Sequence, residues 1–137
     1  MKAIRVKEFG DANVMILEEV ELLVPGKGQA VIKLYAIGVN PVDVICRMGA
    51  SPWVSTPFTP GFDGAGVVKS IGRDVDKFKV GDRVYTVFYI SGTYAEEVLC
   101  DVSQAYPLPD NTGFEEGAGI FLGGALGGYI LFPSEAN

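Results

Sequence analysis

Turn signals break almost every apolar run in this chain before a helical period can establish itself, and that punctuation limits the fold more than any other feature. In MKAIRVKEFG, Ile4 and Val6 alternate with Arg5 and Lys7, and further on Leu17, Val20 and Leu22 sit among three glutamates. VPGKG then turns the chain into QAVIKLYAIGV, which is rich in β-branched residues. PGFDGAGVVKSIG places Val67, Val68 and Ile71 after a glycine-rich start, and VGDRVYTVFYI and GTYAEEVLCDVSQAYPLP add two more strand-like runs. Some six or seven short strands of this kind, with no internal repeat, predict a β-sandwich or a partly open barrel.

At 137 residues the chain has room for one domain with one core. Its 48% hydrophobic content argues against disorder. The net charge of −6 is unevenly spread: all 11 basic residues lie at or before Arg83, and the remainder carries only acids, from Glu96 to Glu135. Nucleic-acid binding draws on Lys and Arg to neutralise phosphates, and no basic block exists here, so a nucleic-acid partner is disfavoured. Histidine is absent, and Cys46 and Cys100 form no paired spacing. A tetrahedral zinc site needs Cys and His ligands in numbers this chain lacks, so no metal site is expected. Two scattered cysteines without a signal peptide fit a reducing cytosol, so a cytoplasmic location is expected.

Two helices are predicted. In AIGVNPVDVICRMG, Asn40 takes the N-cap, Pro41 the first helical position and Asp43 the third, and Gly49 stops the helix after Met48. Asp43 there also meets the positive end of the helix dipole. The second helix starts near residue 113, with Thr112 and Glu115 spaced as a capping box. Gly119, Gly123 and Gly127 recur every fourth residue beyond it, which weakens the helix and offers a face for close packing. Residues 117–134 give 18 uncharged positions including Pro133, with no basic flank, so the segment reads as a packing helix and not a membrane span.

MKAIRVKEFG, AIGVNPVDVICRMG, TPFTPGFDGAGVVKSIG, VGDRVYT and SGTYAEEVLC, in this order and spacing, resemble the N-terminal domain of zinc-independent medium-chain dehydrogenases/reductases. Within that group the similarity is to NADPH:quinone oxidoreductases of the zeta-crystallin type, and it extends to about Tyr129. It implies a mainly β, GroES-like, partly open barrel as the catalytic domain over residues 1–112, with a short helix near 41–48. A linking helix and divergent tail would follow over residues 113–137, where the family continues into a Rossmann domain. In zinc-bearing relatives a Cys of the loop around Asn40 binds the metal. Asn-Pro-Val-Asp stands here instead, and Gly61-Phe62-Asp63 replaces Gly-His-Glu.

By the same resemblance, Asn40 and Asp43 line the pocket beside the nicotinamide of NADPH, with a quinone as the second substrate. Read from the residues alone, both serve equally well as helix caps, and a capped helix can itself fix a pocket wall. Tyrosines that relatives commonly place at Ile45 and Ser51 are missing. So are the Lys and Thr that bacterial relatives carry where this chain reads Phe121-Leu122-Gly123-Gly124-Ala125-Leu126. Tyr94 matches a family position and is read as core packing. The closing glycines do not make G-x-G-x-x-G, because residue 122 is Leu. The chain by itself is therefore expected to bind NADPH poorly. Two functions remain: the catalytic-domain portion of a quinone reductase, inactive alone, or a non-enzymatic binding module that pairs with itself or with a full-length relative. A chaperonin-partner role would rest on fold analogy alone.

Overall fold

The computed structural model describes residues 1–87 and 90–120. Seven strands dominate: β1 (Lys2–Val6), β2 (Met15–Glu19), β3 (Gln29–Ile37), β4 (Gly64–Ile71), β5 (Arg83–Thr86), β6 (Glu97–Asp101) and β7 (Ala105–Pro107). Two helices accompany them, α1 (Pro41–Arg47) and α2 (Phe114–Gly117). The fold is mainly β, as the punctuated sequence predicts.

β3 through β7 form one antiparallel sheet in the order β6-β3-β4-β5-β7, and β1 pairs with β2 in a separate ribbon. Irregularities in the β3–β4 register fall between Val31 and Ile32 and between Leu34 and Ala36. Bulges of this kind bend and twist a strand, which lets a five-stranded sheet curl towards a half-barrel. The ribbon closes part of the gap. Ile4 N–H donates to the Tyr94 carbonyl at 2.8 Å, and Val6 and Phe58 exchange backbone bonds at 2.9 and 3.0 Å. Inside the curl, Ile32, Val68, Phe78, Val84 and Val98 pack with Cys100 into the main core.

One expectation, the capping box of the second helix, needs adjustment, and the second strand is short. The second strand ends at Glu19, so Val20 and Leu22 lie beyond it. There Val20 N–H bonds the Met1 carbonyl and the ladder with β1 stops. Leu17 is 63% exposed, because the ribbon has one face on the sheet and the other in solvent. The capping box at Thr112 does not form, and Gly113 is the N-cap of α2. Arg83 accounts for the shift: its guanidinium donates to the carbonyls of Pro109 and Thr112 at 2.7 and 2.6 Å, which holds Thr112 in the preceding turn. The glycine repeat beyond Gly119 lies outside the described residues. No helix among the described residues is long and apolar enough to cross a membrane.

Candidate functional site

α1 starts and stops where its sequence directs. Pro41 at the first position has no N–H to leave unsatisfied. Asn40 N–H donates to Asp43 Oδ2 at 2.8 Å, so the third residue reaches back to cap the first turn. At the other end Gly49 N–H bonds the Cys46 carbonyl and Ala50 N–H the Ile45 carbonyl, both at 3.1 Å. This double closure needs a left-handed residue, and Gly49 supplies it with φ +80°.

The cap is also one corner of a buried polar cluster. Asn40 Nδ2 donates to Asp63 Oδ2 at 3.0 Å, and the Tyr94 hydroxyl donates to Asp43 Oδ2 at 3.0 Å. Asp43 is 3% exposed and Asp63 2% exposed, while Asn40 and Tyr94 are half-buried. Four residues from α1, the loop before β4 and the loop before β6 thus meet at one point. The Tyr94 ring can approach because Gly61, with φ +102°, has no Cβ to block it.

Burial drives the Asp43 carboxyl above its ordinary value of 3.8, and the like charge of Asp63 adds to the rise. The bonds from Asn40 N–H and the Tyr94 hydroxyl pull the other way. Tyr94 is pushed up in turn, first by burial and then by the charge of Asp43. Asp43 Oδ1 is buried with no hydrogen-bond partner among the described residues. A shallow cleft of about 230 Å³ borders the cluster, lined by Val39, Val44 and Pro60 as well as Asp43, Arg47 and Tyr94.

Both residues singled out from the sequence sit in this cluster, Asn40 at its edge and Asp43 in its interior. Sequence reasoning missed the other two. Tyr94 is not simple core packing, since its hydroxyl holds a carboxylate. Asp63 was legible only as a replaced Glu, and its bond to Asn40 spans 23 positions. The missing tyrosines leave small or open positions: Ile45 is 47% exposed, and Ser51 Oγ accepts from Trp53 N–H at 3.3 Å. Among the described residues no group of three or more His, Cys, Asp or Glu is placed to hold a metal ion.

The family model for the alcohol dehydrogenase GroES-like domain matches residues 26–136. The chain belongs to this family. A quinone oxidoreductase of Sus scrofa is 45% identical over 122 residues, which is 88% of this chain and 37% of that protein. Among solved structures, the Escherichia coli quinone oxidoreductase complexed with NADPH superposes with a TM-score of 0.92 at 29% identity, over 99% of this chain and 42% of that one. The Pseudomonas syringae quinone oxidoreductase superposes with a TM-score of 0.91 at 32% identity, over 99% and 42%. The chain therefore spans less than half the length of these relatives. The fold matches the GroES-like domain of such enzymes.

Proposed function

We propose that the chain is the catalytic-domain portion of a cytoplasmic, metal-independent NADPH:quinone oxidoreductase, and that it is inactive without a dinucleotide-binding domain. Residues 1–112 would form the catalytic domain, and residues 113–137 the link towards its partner domain. The observation that carries the reading is the Asn40–Asp63 hydrogen bond at the start of α1. It fixes one half-buried side-chain amide, a group able both to donate to and to accept from a carboxamide or quinone oxygen. This fits the nicotinamide end of NADPH. When bound, the cofactor supplies the hydride, and the protein's part is orientation.

Asn40 would orient the nicotinamide or the quinone. Asp63 holds the Asn40 amide in one rotamer. Asp43 borders the cleft but is almost wholly buried, so at the pocket wall it would act as a positioning residue, tying α1 to the loop that carries Tyr94 through one oxygen. A second reading makes the barrel a binding or dimerisation module, and exposed Tyr35, Ile37 and Val39 favour it. The sheet edges favour it less. β6 is covered by backbone bonds from Ile90 and Ser91 to Leu99, and β7 ends at Pro107.

The test joins this chain to the dinucleotide-binding domain of a quinone oxidoreductase and assays NADPH-dependent quinone reduction. Alone, the 137-residue chain should show neither saturable NADPH binding nor turnover; joined, it should turn over. Asn40→Ala in the joined protein should then lower kcat/KM about twofold to thirteenfold, the equivalent of a hydrogen bond worth about 0.5–1.5 kcal/mol. Loss of stability with unchanged kcat/KM would leave Asn40 as a helix cap only. Dimerisation of the chain with no activity in the joined form would favour the module.

A further inference from the structure

A pocket of about 340 Å³ lies beside the polar cluster, with Thr59 in its wall while the next residue, Pro60, borders the cleft at Asp43. Among the described residues its lining includes one cation, Arg5, and no carboxylate. Arg5 is half-buried on β1 and donates from Nη1 to Thr59 Oγ1 at 3.2 Å. Among the described residues it makes no ion pair; the five ion pairs found there use other cations. A guanidinium has five donors arranged to meet a carboxylate two at a time, and among the described residues the bond to Thr59 engages one of them. The remaining wall is mixed, with the polar side chains of Ser55, Thr59 and Ser91 beside apolar ones. Phe58, Pro57 and Val54 line it, and the Trp53 indole stands at its rim, 89% exposed. An exposed indole and the Phe58 ring on the lining of one pocket give a planar ring aromatic groups to stack on.

We infer that this pocket binds a small aromatic carboxylate, with the carboxylate on Arg5 and the ring against Trp53 and Phe58. A bare inorganic anion would satisfy Arg5 and leave the aromatic wall empty, and a neutral ring would leave the half-buried cation without a counter-charge. The inference does not depend on hydride transfer.

Trp53 is the chain's single tryptophan, so its emission reports on this site directly. The experiment titrates the full 137-residue chain with benzoate, benzamide and acetate while following that emission. Benzoate should give a saturable change, with benzamide and acetate each at least tenfold weaker. Arg5→Met should weaken benzoate at least tenfold and leave benzamide unchanged, and Arg5→Lys should restore part of the loss. Trp53→Phe, at a position too exposed to affect folding, should weaken benzoate as read by saturation-transfer NMR. Equal binding of benzoate and benzamide overturns the role of Arg5, and acetate matching benzoate overturns the aromatic wall. These two comparisons use the unaltered chain, so they decide the matter even if Arg5→Met fails to fold. Benzoate binding unchanged in a folded Arg5→Met variant would also sink it.

Discussion

Asp43 sits in the interior beside a second carboxylate, and its proton is held more tightly in the folded chain than in the unfolded one. A raised folded value means that its contribution to stability is fully present below the ordinary value of 3.8 and is lost as pH rises through the raised one. Asp43→Asn keeps the shape and an acceptor oxygen but cannot ionise. Urea unfolding from pH 3.5 to 7 should therefore show the variant gaining stability relative to the parent chain as pH climbs; parallel curves would mean that Asp43 does not titrate above its unfolded range. Tyr94→Phe tests the same contact from the other side. It removes one of the two hydrogen bonds on Asp43 Oδ2, and bonds to charged groups are worth about 1.5–3 kcal/mol. A drop of that order near pH 7 is expected in the same urea assay, and a loss below a few tenths would make the ring the only part of Tyr94 that matters.

At the scale of elements, α1 is held at both ends by its own sequence, and its C-terminal closure is the more vulnerable. Gly49 has φ +80°, and a Cβ there would also press on the Phe9 ring at about 2.8 Å. Left-handed backbone costs an ordinary residue about 1–2 kcal/mol, so Gly49→Ala should destabilise the chain by at least that much in urea melts. Gly49→Asn, which tolerates the left-handed region, should recover part of the loss only if Phe9 can move aside. α2 is held differently, by Arg83 from the neighbouring strand. Arg83→Ala should speed amide exchange at Gly117 and Ala118, whose N–H groups bond Gly113 and Phe114. Unchanged exchange there would show that the turn before α2 stands without it.

Over the whole molecule, the curled sheet is closed around Ile32, Val68, Val84 and Val98, each at most 1% exposed. Cys100 belongs to this core, and burial pushes its thiol up to about 12; Cys46 is raised as well, chiefly by burial. Both cysteines are free and buried. A thiol-reactive dye should therefore label neither in the native chain near pH 7 and both in urea, since the thiolate is the reacting form. Rapid native labelling of Cys100 would show that the barrel opens readily. Ile32→Ala leaves a cavity at the centre of the sheet and should cost about 2–5 kcal/mol, read from the shift in the urea midpoint.

What the sequence by itself determined was local. Glycine and proline punctuation set strand lengths, and Asn40, Pro41, Asp43 and Gly49 set both ends of α1, because caps and turns depend on neighbours within a few positions. The tertiary structure decided what joins across distance. Asn40 meets Asp63 across 23 positions and Asp43 meets Tyr94 across 51, and no spacing in a strand-rich chain announces which loops will touch. The start of α2 followed the same logic. Thr112 and Glu115 have the right local pattern, but Arg83, 29 positions earlier, holds the Thr112 carbonyl in the turn. The same curl placed Arg5, one of two basic residues alternating with Ile4 and Val6 on the first strand, in the lining of a pocket. Local signals fix both ends of α1 but not the start of α2. Which side chains face one another is set only when the sheet curls and the ribbon closes on it.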